Sequence, residues 1–214
     1  MAYYILRSYN FNCDPIFILE KIKDKNCPFL LDSSFYDKKF GRYSFLGFEP
    51  FFILKTKERN PFFDLRNLLD RYRVSFKKNP LPFLGGAVGF LSYDLGFVLE
   101  EKLTRRIPDD LEIPDCFFGF YSFGIIIDHF LKRLYIFSLG FPEKNYSLAK
   151  SLAEKNFKKI KDIVKSLDLK HKESKSNKKN KDIVLASNFT KNEYIEAIKK
   201  AKDYIRRGDI YQVN

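Results

Sequence analysis

The sequence predicts an α+β fold built mostly on antiparallel sheet. Three observations point there. Short aromatic and β-branched runs bounded by turn residues dominate the first part, helical patterns fall between them at irregular intervals, and a long apolar hairpin pattern occupies the middle. With 214 residues and 45% apolar composition, the chain can bury a substantial core, and its length allows one domain or one and a fraction.

Taken in order, Asp14 followed by Pro15 forms an N-cap and first-turn pair, and Ile18, Leu19 and Ile22 give the short helix after it one apolar stripe. Phe29 to Asp32, Tyr43 to Gly47 and Phe51 to Lys57 read as strands. Leu65, Leu68, Leu69 and Tyr72 mark a second helix. A loop from Lys77 to Pro82 leads into Phe83 to Leu91, which is apolar enough for a central strand. Phe117 to Asp128 and Leu134 to Gly140 read as a hairpin joined by His129 to Arg133. A long helix follows from about Tyr146 to Leu167, its stripe carried by Leu148, Leu152, Ile160, Ile163, Val164 and Leu167.

Beyond a Lys-, Ser- and Asn-rich stretch, Ile183-Val184-Leu185 reads as a strand and Thr190 opens a final helix. Thr190 and Glu193 have the spacing of a capping box, Phe189 and Tyr194 that of a hydrophobic staple, and Gly208 suits a left-handed exit. The β-prone run Asp209 to Asn214 is expected to be a strand. Such a strand would lack ladder partners, so the native polypeptide is expected to continue beyond it.

The net charge of +12 raises nucleic acid as a partner. The charge is concentrated between Lys170 and Lys181, however, where six lysines face only Glu173. A solvated linker explains that block, and nucleic acid is not an expected partner. Cys13, Cys27 and Cys116 are odd in number and widely spaced, which argues against a disulfide framework or a zinc site and fits a reducing cytoplasm. The N-terminus has no export pattern, and the longest apolar stretch, Cys116 to Ile127, is far short of the roughly 20 residues that span a bilayer.

Several segments invite a functional reading. Gly85-Gly86-Ala87-Val88-Gly89 could cradle a phosphate, but no Lys-Ser/Thr follows, and glycines within a strand mark close approach of another backbone. His129 and His171 read as surface side chains without the setting of a general base. Asp94 and Glu100 could pair as acid and base, although a turn or cap role explains Asp94 as well. Asp32-Ser33-Ser34 followed by Gly41-Arg42-Tyr43-Ser44 would suit a small amphoteric ligand. Arg42 would meet its carboxylate, and Asp32 or the serines would accept from its ammonium. A plain turn between two strands explains the same residues.

Five segments in register, Phe29 to Ser33, Gly41 to Gly47, Gly85 to Leu95, Ile113 to Tyr121 and Ser187 to Asn214, resemble the chorismate-utilising enzymes, component I of anthranilate synthase and of aminodeoxychorismate synthase. The resemblance implies residues 1–169 as the N-terminal domain of the anthranilate synthase component I type. It implies 170–182 as a basic linker and 183–214 as the first strand and helix of a chorismate-binding domain. Tyr93-Asp94-Leu95-Gly96 and Ile210-Tyr211-Gln212-Val213-Asn214 look more like the aminodeoxychorismate branch, while Phe97 stands where either branch has arginine.

The implied chemistry replaces the chorismate 4-hydroxyl with an amino group, using ammonia from a glutamine amidotransferase partner and Mg2+ to hold the substrate carboxylate. The product would serve p-aminobenzoate and folate synthesis. The implied catalytic residues and Mg2+ ligands lie outside this chain. What the resemblance places within it is a tryptophan site at Ser33, Phe40, Gly41, Arg42 and Tyr43, with Asp32 in place of the usual glutamate. The alternatives are anthranilate synthase component I and a non-catalytic tryptophan-binding regulatory module.

Overall fold

The computed structural model describes residues 3–11, 14–33, 35, 37, 39–74, 81–100, 102–104, 108–167 and 186–213. Contacts divide the chain into two units, Met1–Lys170 and His171–Asn214. The Ile183 to Leu185 strand, the lysine-rich stretch, His171 and most of the Lys77 to Pro82 loop fall outside the described residues.

The first unit holds two antiparallel sheets. In one, β1 (Tyr4–Asn10), β8 (Arg133–Leu139), β7 (Phe123–Asp128), β3 (Tyr43–Gly47) and β2 (Phe29–Leu31) lie side by side in that order. In the other, β6 (Cys116–Tyr121) lies between β4 (Phe52–Thr56) and β5 (Gly86–Leu91). The helices are α1 (Pro15–Ile22), α2 (Phe62–Arg71), the single turn α3 (Gly96–Leu99) and α4 (Tyr146–Lys165). The mixed helix and antiparallel sheet agree with the predicted class.

The core follows from strand alternation. On one face of the larger sheet Leu46, Ile125, Ile127, Leu134 and Ile136 meet Ile18 and Ile22 of α1 and Ile160 of α4. On the opposite face Ile126 and Phe137 meet Leu81 and Leu84, with Tyr43 and Phe45 alongside. Strand β7 is covered on both faces, which is why its sequence is continuously apolar rather than alternating.

Local signals in the sequence hold where they are self-contained. The Asp14 carboxylate accepts from the Ile16 amide at 2.9 Å with Pro15 in the first turn. Asn145 caps α4 by accepting from the Ser147 and Leu148 amides. Gly89 has Phe117 directly behind it: a Cβ there would lie 1.8 Å from the Phe117 carbonyl oxygen. Gly86 to Gly89 therefore lie in a strand, with Gly89 in close backbone contact as expected, while Gly85 precedes the strand at φ 94°.

Four expectations need correction. The run from Phe117 to Asp128 is two strands: β6 and β7 meet at buried Ser122 and belong to different sheets, so one apolar stretch serves both. Strand β5 is an edge, since among the described residues it pairs only with β6, and its Gly89, Phe90 and Leu91 are exposed; apolar composition does not by itself place a strand in the middle of a sheet. The inward stripe of α4 is as read only in its second half, where Ile160 and Leu167 are buried and Ile163 and Val164 pack against the core; in its first half the buried residues are Ala149, Ala153 and Asn156, while Leu148 is exposed. Small side chains face the sheet and let the helix approach it, a role that hydropathy undervalues. Finally, Asp209 to Val213 forms no strand, because among the described residues it finds no ladder partner.

The second unit is described by α5 (Lys191–Arg207) and its flanks. The capping box is present, with Glu193 donating its amide to the Thr190 hydroxyl and accepting from the Thr190 amide at 2.8 Å. Phe189 and Tyr194 pack edge to face. Gly208 closes the helix at φ 81°, the left-handed conformation that glycine adopts without a Cβ penalty.

Candidate functional site

The candidate site lies at one end of β2, β3 and β7. Pairing of Leu31 with Phe45 and of Tyr43 with Asp128 places Asp32 beside Ser44 and carries His129 past the end of β7. The ladder extends one step further, where the His129 amide donates to the Arg42 carbonyl at 2.9 Å. Residues separated by 85 or more positions in sequence thus meet.

Two clusters form, one on each face of the sheet. On the face of α1 and α4, the fully buried Ser44 Oγ receives the Ser33 amide at 3.1 Å and lies 2.7 Å from both Asp32 Oδ1 and His129 Nε2. Ser33 Oγ donates to the Tyr43 carbonyl at 2.7 Å, which ties the two strands together. On the other face, Arg42 Nε and Nη2 donate to Asp128 Oδ2 at 3.0 and 2.6 Å, and the guanidinium lies over the rings of Tyr43 and Phe130. Asp128 Oδ1 accepts from the amides of Phe130 and Leu131, closing the turn between β7 and β8.

These surroundings set the charges. Burial alone would push the Asp128 carboxyl up, but the Arg42 hydrogen bond and the Leu131 and Phe130 amides outweigh it and hold the carboxyl below its ordinary value. Burial lowers His129, with the Asp32 charge working the other way. Burial likewise raises the Tyr43 phenol.

The residues predicted from sequence therefore separate. Asp32 and Ser33 join the Ser44 cluster, whereas Arg42 and Tyr43 join Asp128 on the opposite face. Arg42 is turned to an internal carboxylate, so its expected role toward a ligand carboxylate has two of its donors already engaged. Phe40 is 85% exposed. Gly41 sits in a turn that Asp37 organises: the Asp37 carboxylate accepts from the Lys39 and Phe40 amides and its carbonyl from the Gly41 amide.

His129 is half-buried within the site, contrary to its reading as a surface side chain. Sequence reasoning missed it, and Asp128, because their signal is the register of β3 against β7. Ser92 caps the turn that carries Asp94 by accepting from the Leu95 amide, and Asp94 lines a cavity of about 590 Å3 together with Phe97 and Leu111. That cavity shares no lining residue with the Ser44 cluster.

The chemistry available to the cluster is recognition. Ser, His and Asp meet, but Asp32 touches the serine and not the imidazole, so this is not the relay that activates a nucleophile. Among the described residues, no group of three or more His, Cys, Asp or Glu could hold a metal ion. Nor, among them, is any helix long and apolar enough to cross a membrane.

Two antiparallel sheets with packed helices make this an α+β unit whose polar side chains gather at one sheet end. Residues 29–214 match the model of the chorismate binding enzymes, and the chain belongs to that family. It is 29% identical to anthranilate synthase component 1 of Acetivibrio thermocellus over 93% of this chain and 44% of that protein. It is 31% identical to the component 1 of Aquifex aeolicus over 93% and 43%. With aminodeoxychorismate synthase component 1 of Escherichia coli the identity is 29% over 86% and 40%. The chain thus spans less than half the length of these curated relatives. Its fold is similar to that of anthranilate synthase component I from Streptococcus pneumoniae, with a TM-score of 0.54 at 22% identity, covering 82% of this chain and 40% of that one.

Proposed function

We propose that this chain is the front portion of a component I enzyme that aminates chorismate, and that its own task within that enzyme is to hold an amino acid, tryptophan, at the Asp32–Ser44 end of the sheet. The observation that carries the reading is the family match over residues 29–214, together with relatives of both branches aligned along nearly the whole chain. On this reading the catalytic residues and the carboxylates that hold Mg2+ belong to the length of the relatives that this chain does not span. Ammonia comes from a glutamine amidotransferase partner, and the enzyme works in the cytoplasm.

Of the two branches, we assign the aminodeoxychorismate one, on the Tyr93-Asp94-Leu95-Gly96 and Ile210 to Asn214 segments. A second reading, anthranilate synthase component I, is favoured by a different observation: the Acetivibrio and Aquifex proteins match more of this chain than the Escherichia coli aminodeoxychorismate synthase does. The product of the complete gene, supplied with chorismate, ammonium and Mg2+, decides between them. Aminodeoxychorismate, with a lysine in a downstream Pro-Ile-Lys-Gly-Thr motif, is the expected outcome. Fluorescent anthranilate, with alanine at that lysine, transfers the protein to the second branch, and neither product overturns the proposal. For the amino-acid site, the chain has no tryptophan of its own, so indole emission in equilibrium dialysis reads bound tryptophan directly.

A further inference from the structure

The Ser44 hydroxyl has one proton and two lone pairs but three polar neighbours, and that count determines the whole cluster. Ser33 offers an N–H, which can only donate. Asp32 offers a carboxylate oxygen, which can only accept, so the Ser44 proton goes to Asp32 Oδ1. One lone pair then remains for His129 Nε2 at 2.7 Å, and a lone pair can meet that nitrogen only if it carries hydrogen. An acceptor nitrogen there would compete with Asp32 for the same proton and leave one contact at 2.7 Å without a hydrogen between its atoms.

We infer that His129 is a positioning residue of the amino-acid site: its Nε2–H donates to Ser44 Oγ, commits the Ser44 proton to Asp32 Oδ1, and thereby fixes the Asp32 carboxylate with Oδ2 directed to a ligand ammonium. This rests on the amino-acid site proposed above. Two observations and one physical argument support it. Ser44 is fully buried, so water cannot replace a lost donor. Asp32 is exposed, and Oδ2 has no hydrogen-bond partner among the described residues. A short carboxylate on a strand end would otherwise rotate, and a held carboxylate loses less freedom on binding. The same count removes Ser44 as a nucleophile, since its proton faces a carboxylate and the neighbouring imidazole is a donor.

The first test needs no ligand. The chain has two histidines, so a His171→Gln variant leaves one imidazole, whose nitrogen-15 resonances at pH 8 report its tautomer. Hydrogen on Nε2 with a bare Nδ1 is expected, and the opposite tautomer overturns the inference. The second test measures tryptophan binding to the 214-residue chain by dialysis with indole emission, alongside a thermal melt of each variant. His129→Gln, which can present an amide N–H near the position of Nε2, should bind within about threefold of the unsubstituted chain, and His129→Phe about ten- to a hundredfold more weakly. Undiminished binding by His129→Phe, or equal weakening by both variants, overturns the positioning role. Absence of tryptophan binding by the unsubstituted chain overturns the site reading, and the role of His129 with it, whatever tautomer the resonances show.

Discussion

Asp128→Ala removes the carboxylate that closes the β7–β8 turn and anchors Arg42. The carboxylate accepts four hydrogen bonds, two from the guanidinium and two from backbone amides. Asp128 itself is fully buried. The Arg42 side chain keeps 30% exposure and Phe130 and Leu131 are exposed, so water re-solvates much of what is left unpaired. The loss is therefore placed near the lower end for a charge-assisted cluster, about 2–3 kcal/mol. With a urea slope of about 2 kcal/mol/M, the unfolding midpoint followed by circular dichroism should fall by about 1 M.

The pH dependence gives the reasoning a second check. The folded carboxyl lies below its ordinary value of 3.8. Its contribution is thus fully present above the unfolded value and is lost as pH falls through the folded one. The gap in stability between the unsubstituted chain and Asp128→Ala should be constant from pH 7 to about 5 and shrink below about 3.8. A gap under about 0.5 kcal/mol at pH 7, or one that stays constant down to pH 2, would refute the account of Asp128 as a stabilising charge.

Two further substitutions test the packing. Gly89→Ala would drive a Cβ to 1.8 Å from the Phe117 carbonyl oxygen, so β5 must leave β6; a loss of about 3 kcal/mol or more, or failure to fold, is expected, and a near-neutral urea midpoint would contradict that contact. Ser138 Oγ is buried without a hydrogen-bond partner among the described residues, so Ser138→Ala should raise the midpoint, by about 0.5–1 kcal/mol of stability; a destabilised variant would show that the hydroxyl is satisfied after all.

The parts of the structure that were legible in the sequence are those whose cause is local. The Asp14-Pro15 start of α1, the Thr190–Glu193 box and the Gly208 exit of α5 each depend on residues within a few positions of one another, and each formed as read. Strands β2, β3 and β4 were marked by their turns. Strand β1 was not, since Tyr4 to Asn10 is half exposed at the edge of its sheet and carries no strong alternation. The break at Ser122 was hidden for the opposite reason, because the chain is buried throughout from Gly119 to Asp128 and one buried serine is all that marks the junction.

The sequence by itself determined the fold class, the family resemblance and the segments from Asp32 to Ser44 as a place for chemistry, because binary pattern, caps and motif spacing are written along the chain. Only the tertiary structure decided which of those side chains meet. A strand alternates its faces residue by residue, so Tyr43 and Ser44 diverge to opposite sides of the sheet although they are neighbours in sequence. Register across β3 and β7 then supplied Asp128 to one side and His129 to the other, from more than 80 residues away. That pairing is a property of the sheet, and no window of the sequence contains it.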